Sequence, residues 1–420
     1  MPNNGAWKLK IVYLCNEKFL FLINKVNKQT IFNMKKHILT ALMLAAATLG
    51  LSAEDNIVTD EEFLDPSAVS VQDVLTQRLA RNAESLPTLN ESLPHFGGYV
   101  IGSYKFDDAA GSRGGDGFGL RLIRLYVDGT VFHDFKYRVQ LEVNGSPHVK
   151  DATLEWVHWK WLQVKVGQFK RAFTFENPYN PWDVGFGDYS QATKKFAGFG
   201  DRVGEASMGG RDLGLQLQGD LLPSKRDGHS QLHYQLAMYN GQGINQKDRN
   251  RQKDFIGTIQ WSPVKNLWIG AFGWKGNWFS ADKGISVDRN RLAVGLKYEE
   301  PKTGLSARAE YVRSWGHKAS DWNVTAQMWK MAPNGGDKAD GWYAALGVPV
   351  WRWVKVCAKY DAYRDYATMG TLHSIYSLSA QAQPHKNLML QVQYNYNDDK
   401  TSAAPERHYN QFWVQTYVRF

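Results

Sequence analysis

The chain has 420 residues, a formal net charge of +9, 43% hydrophobic residues and a mean hydropathy of −0.46. That hydropathy excludes a bundle of membrane helices, each of which needs about 20 consecutive apolar residues. Two cysteines, Cys15 and Cys357, exclude a disulfide framework and a cysteine metal cluster.

From Met34 the chain reads MKKHILTALMLAAATLGLSA, a basic start, an apolar run from Ile38 to Leu51 and a small pair, Ser52-Ala53. This is a signal peptide over 34–53, and it implies export. Residues 1–33 then read as an overcalled start, with Met34 the initiator. Residues 1–53 carry seven Lys against one Glu, so +6 of the net charge belongs to them. The mature chain is close to balanced, which removes the composition argument for a nucleic-acid partner.

Residues 54–95 hold nine acids and two arginines around Pro66, Pro87 and Pro94. They read as a periplasmic N-terminal segment. From Phe96 the texture becomes alternating runs separated by turn chemistry, and residues 96–420 read as one barrel domain. Sixteen strands are expected, at about 96–106, 117–128, 132–144, 149–159, 161–170, 209–220, 230–240 and 253–262 in the first half. The second half gives 266–278, 287–300, 304–316, 338–350, 352–365, 371–382, 387–397 and 407–420.

Every second connection is short: Gly129-Thr130, the Lys160 region, Pro263-Val264-Lys265, Pro301-Lys302-Thr303, Trp351 and 383–386, with only the link 221–229 longer. The others are generally longer, notably 171–208, 241–252, 317–337 and 398–406. Short periplasmic turns alternating with long external loops are the pattern of an outer-membrane barrel. A soluble sandwich has no reason to sort its loops by parity.

Within the strands a period of two separates apolar from polar side chains. Phe135, Tyr137, Val139 and Leu141 alternate with Lys136, Arg138, Gln140 and Glu142. The last strand puts Phe412, Val414, Thr416, Val418 and Phe420 on one face, and its terminal aromatic resembles the signature read by outer-membrane assembly machinery. Strands with a lipid face must close on themselves, because lipid satisfies no sheet edge. The fold class is therefore all-β, a sixteen-stranded antiparallel transmembrane barrel in outer-membrane lipid.

Three segments carry a family resemblance: RLYVDGTVFHDFKYRVQLE (124–142), DATLEWVHWKWLQVKVGQFKRAFTFE (151–176) and GGRDLGLQLQGDL (209–221). They resemble the phosphate-selective porins O and P of Gram-negative outer membranes, with VGQFK at 166–170 the most particular feature. The resemblance implies a homotrimer of channels whose third external loop, here 171–208, folds inward and narrows a water-filled lumen. Small hydrophilic solutes, anionic or phosphate-bearing ones among them, are the implied cargo.

Rings of Arg or Lys are how pores favour anions. Strand parity gives Lys136, Arg138, Lys165, Arg289, Arg291, Lys297, Arg308, Lys355 and Lys359 as pore-lining candidates. The loop offers Arg171, Lys194, Lys195 and Arg202 against Glu176, Asp183, Asp188, Asp201 and Glu205. Four positive against five negative charges do not make a dedicated phosphate trap. The histidines form no HExxH or helical ligand pair, and there is no GxSxG and no P-loop, so no metal, cofactor or catalytic residue is expected. Two other readings stay open: a carbohydrate-binding or adhesive barrel, favoured by the aromatic wealth, and an outer-membrane lipid hydrolase.

Overall fold

In a computed structural model, residues 93–109, 116–205, 209–402 and 406–420 are described. The leader, the start at Met34 and nearly all of 54–95 lie outside them. Sixteen strands pair antiparallel in sequence order and close into a barrel. The first eight are β1 (His95–Asp107), β2 (Gly117–Val131), β3 (Phe135–Glu142), β4 (His148–Trp159), β5 (Leu162–Lys170), β6 (Arg211–Pro223), β7 (Ser230–Tyr239) and β8 (Asp254–Trp261). The rest are β9 (Leu267–Lys275), β10 (Asn290–Glu299), β11 (Ser306–Trp315), β12 (Lys338–Trp351), β13 (Val354–Arg364), β14 (Leu372–His385), β15 (Leu388–Asp399) and β16 (His408–Arg419).

Closure is made by the chain's two ends. β1 pairs with β16 from Tyr99↔Arg419 to Asp107↔Gln411. Beyond the ladder, Gly98 and Phe420 exchange two backbone hydrogen bonds of 3.0 Å each. Closure leaves no open edge, which the hydrocarbon demands.

Burial follows the alternation but with its chemistry reversed from a soluble protein. On β15, Leu390 is 45% exposed while its neighbour Gln391 is 1% exposed. Gln393, Asn395 and Asn397 are buried likewise, and Val392, Tyr394 and Tyr396 are exposed. Apolar side chains outside and polar side chains inside mean lipid without and water within.

The expected strands match the observed ones to within a few residues, with three differences. Gly129 and Thr130 do not turn: they pair with Tyr137 and Lys136, and the turn is Phe132–Asp134. Gly129 serves the strand by leaving room for an aromatic ring, since a Cβ there would lie 2.7 Å from the Tyr137 hydroxyl. Trp351 is likewise still paired, with Val354, and the turn is Arg352-Trp353. The runs expected at 266–278 and 287–300 overreach because Asn277–Ser280 and Ile285–Asp288 form their own hairpin beyond β9 and β10.

The closure makes a direct test. A Cβ on Gly98 would meet the Phe420 ring at 2.7 Å and the Arg124 carbonyl at 2.8 Å, whereas nothing lies within 4 Å at Gly102. Gly98→Val is expected to reduce the heat-modifiable folded band on gels severely, and Gly102→Ala to leave it unchanged.

Candidate functional site

The connection from β5 to β6 is the longest in the barrel, and its side chains are chiefly Phe, Gly and charged residues. Phe173, Phe175 and Phe196 join Phe272, Trp274, Tyr239, Tyr343 and Tyr363 in one buried cluster. A short helix, α1 (Gln191–Ala197), follows an N-cap at Ser190, whose hydroxyl accepts from the Thr193 amide. The Asp361 carboxylate from β13 accepts from the Gln191 amide at 2.9 and 3.0 Å, satisfying an orphan donor at the helix start. Gly198 ends the helix at φ 102°, a left-handed C-cap.

Polar side chains from the inward faces of other strands hold this segment. Glu310 on β11 accepts from the amides of Phe175 (2.6 Å) and Glu176 (3.0 Å), and from the Tyr343 hydroxyl (2.6 Å). On β15, Gln393 accepts from the Gly187 amide at 2.6 Å, and Gln391 donates to the Gly185 carbonyl at 3.1 Å. Trp182 packs edge-on against Tyr417 of β16.

The tightest fastening is ionic. Arg171 forms a fork on Glu205 at 3.0 and 3.1 Å and reaches Asp212 at 2.7 Å. Arg289 bonds Glu205 and, at 2.6 Å, Asp254. Arg291 takes both oxygens of Asp201, at 2.5 and 2.8 Å. All three guanidiniums stand over the Trp274 ring, at 5.0, 4.8 and 4.7 Å from its centre. Burial alone would raise the Asp201 carboxyl, but Arg291 and Arg289 hold it below the usual carboxylate range.

One further tie reaches the outer loops and another stays within the segment. Arg202 bonds Asp365 at 2.9 Å, the Gly336 carbonyl at 2.9 Å and the Gly316 carbonyl. Lys194 pairs with Asp188 at 2.6 Å. Burial works against the Asp188 charge, yet Lys194 and Arg121 keep its carboxyl at about 2.

Beside this segment lie two adjoining cavities that share Pro178, Asn180 and Gln235. The larger, of about 790 Å³, is lined among others by Lys297, Arg308, Lys355, Glu299 and Asp183. Arg308 donates to the Val184 carbonyl at 2.5 Å and stacks on Tyr179 at 4.3 Å. Lys355 donates to Ser306 at 2.8 Å, and Lys297 stands 5.4 Å from the centre of the Phe175 ring. The smaller cavity, of about 400 Å³, has Arg124, Arg138, Lys165, Lys170 and Arg211 along it. Four of these five cations are paired: Arg138 with Asp128 (2.5 Å), Lys165 with Glu155 (3.6 Å), Arg211 with Asp151 (2.7 Å) and Arg124 with Glu142 (2.8 Å), whereas Lys170 donates to backbone carbonyls.

The thirteen residues singled out from sequence thus divide. Lys297, Arg308 and Lys355 converge on one cavity, and Arg138 and Lys165 line the other. Arg171, Arg202, Arg289 and Arg291 are buried fasteners of the loop. Lys359 is buried, 3.7 Å from Asp361 and 4.8 Å from the centre of the Phe186 ring. Lys194 is paired with Asp188, Lys195 is half-buried beside Tyr363, and Lys136 is exposed next to the β2–β3 turn. Sequence reading missed Arg124, Lys170 and Arg211. Arg124 shares its face with Tyr126 and Asp128, so parity pointed to it. Lys170, which bonds the Asn177 carbonyl at 2.9 Å, follows Gly167, whose φ of 117° interrupts strict alternation.

Glu205 serves two buried arginines at once. Removing one partner of a buried pair typically costs about 3–5 kcal/mol. Glu205→Gln is therefore expected to open residues 171–205 to added protease while the heat-modifiable barrel survives. Lys195→Gln, which touches none of these ties, should protect the segment as the parent does.

Comparison with known proteins follows the same lines. The family model of phosphate-selective porin O and P matches residues 96–267, so the resemblance carried by 124–142, 151–176 and 209–221 holds. No curated protein sequence matches the chain. Among solved structures, an anion-selective porin from Comamonas acidovorans is similar with a TM-score of 0.56 at 12% identity, covering 79% of this chain and 100% of that one. The outer membrane channel DcaP of Acinetobacter baumannii gives 0.53 at 12%, covering 79% and 98%. The trimer form of the outer membrane protein OmpT of Vibrio cholerae gives 0.53 at 15%, covering 78% and 99%. At such identity the likeness is one of fold.

Proposed function

We propose that this chain, whose residues 96–267 match the phosphate-selective porin O and P family, is an outer-membrane porin with a modest anion preference. It forms a water-filled channel through which small hydrophilic solutes diffuse. The observation that carries the reading is a closed barrel with an apolar outer face, a polar inner face and two adjoining cavities beside the inward-held segment 171–205. That segment is the constriction.

The anion preference has a local source. A cation paired with a carboxylate presents a dipole to a passing solute, and its field falls away quickly. Arg124, Arg138, Lys165 and Arg211 on the wall from β2 to β6 are of this kind. Across the larger cavity, Lys297, Arg308 and Lys355 make no ion pair among the described residues and leave net positive charge facing the passage. A dedicated phosphate trap is disfavoured, because Arg171 and Arg202, two of the four cations of the constriction loop, are spent on holding it.

The homotrimer follows from the family resemblance and the trimeric form of one similar barrel. Diffusion through such a channel needs no catalytic group, which sets this reading against the hydrolase. Discrete single-channel steps in planar bilayers would be the signature; their absence would favour the adhesive barrel.

Replacing Lys297, Arg308 and Lys355 by Gln is expected to move the reversal potential in a salt gradient toward cations. The shift should shrink at high salt, as the screening length falls from about 10 Å at 0.1 M to about 3 Å at 1 M. A reversal potential that stays put would leave a general porin whose preference owes nothing to these three side chains.

A further inference from the structure

The outer wall carries charge where a lipid-facing surface has little reason to. On three adjacent strands Arg313 (β11), Asp340 (β12) and Arg364 (β13) are direct cross-strand partners. Leu292, half exposed on the apolar face, pairs with Arg313 on the other side, so the row faces outward. It stands at the strand ends that lead into the long connections 316–337 and 365–371, the external rim.

The row is not neutral. Arg364 grips Asp340 with two donors, at 2.8 and 2.6 Å, and Tyr311 adds its hydroxyl at 3.1 Å. Arg313 commits one N–H to the same carboxylate, at 3.2 Å. Its guanidinium also lies beside the Tyr311 hydroxyl, and its side chain is 29% exposed. Two guanidiniums on one fully buried carboxylate leave a single positive charge at the rim. By strand alternation Lys338 lies on the same face, two residues from Asp340.

Directly below is a shallow groove of about 750 Å³, almost wholly apolar, whose floor includes Ala309, Ala344 and Ala358 beside Leu346, Tyr376 and Leu378. Ala309 and Ala344 lie four residues along their strands from Arg313 and Asp340, a drop of roughly 13 Å at about 3.3 Å per residue. Tyr311 and Trp342 occupy the row between. A guanidinium fork above an alanine-floored trough has the dimensions of a phosphorylated head above an acyl chain. Arginine suits phosphate because its planar donors match the oxygens in pairs.

We infer that this face is a lipid-binding site for a phosphorylated, acylated glycolipid of the outer leaflet, with the phosphate on Arg313 and one acyl chain in the alanine groove. The inference rests on the outer-membrane reading but not on what the channel carries.

The test is native mass spectrometry of the full-length protein in an uncharged detergent, titrated with bisphosphorylated lipid A, its dephosphorylated form or inorganic phosphate. One bound bisphosphorylated lipid is expected, with Arg313→Gln weakening it roughly tenfold, the effect of losing one charge-assisted hydrogen bond. The dephosphorylated lipid should bind as weakly to the parent protein, and inorganic phosphate should not compete. Arg313→Gln leaves Arg364 on Asp340, so its barrel should stay heat-modifiable. Should it fail to fold, Ala344→Leu decides instead: it fills the groove without touching the charges, and undiminished lipid binding overturns the site. Equal binding of both lipid forms, or displacement by inorganic phosphate, overturns it as well. A change of oligomeric mass on Ala344→Leu with no lipid bound would give the face to a second copy of the chain and sink the proposal. Single-channel conductance of the same sample in neutral lipid reports on the porin reading separately.

Discussion

A sheet in hydrocarbon has nowhere to put an unpaired N–H or C=O, and every larger feature of this chain answers to that. Each unsatisfied group would cost several kcal/mol. The first and last strands must therefore find each other, and the C-terminal Phe420 is drawn back to Gly98 to finish the seam. Once the wall is closed, the alternation of each strand has only two places to send its side chains. The apolar set is excluded from the lumen and the polar set from the lipid. A wet interior is thus a consequence of closure, with no separate instruction in the sequence.

The same polar inner face creates a second problem, because a long connection that bonds to it cannot be held by apolar packing alone. The chain solves it with both kinds of contact. A phenylalanine-rich cluster anchors the arms, while carboxylates and amides from the far wall take up backbone donors that water would otherwise satisfy. Buried ion pairs are weak evidence of stability in general, since desolvation offsets attraction. Their value here lies in geometry: Arg171, Arg289 and Arg291 share Trp274 as a platform and four carboxylates as partners, a combination that fits one placement of the loop.

What was legible in the sequence was whatever obeys a period of two. The sixteen strands, the sorting of turns and the polar face of β15 all follow from local alternation. Positions where alternation gives way to local packing were misread, as at Gly129, where a ring and not a turn needs the glycine. The fate of individual charges was less accessible. Arg289, Arg291 and Arg308 have the same parity signature, yet the first two meet Glu205 and Asp201 from a distant loop and the third meets a carbonyl and a tyrosine ring. Parity tells which side of the wall a cation stands on. Whether it is free there depends on partners more than a hundred positions away in some cases, and no local pattern encodes those.

The arginine platform also constrains the order of events by which the molecule is made. Neighbouring strands are joined by turns as short as Lys160-Trp161, so their contacts close small segments of chain. Arg171 and Arg291, by contrast, meet over one indole only after β6 to β9 have been laid down between them. Contacts of such long range pay their closure entropy late. The loop therefore takes its seat after that stretch of wall exists, and until then its acids and bases must remain in water.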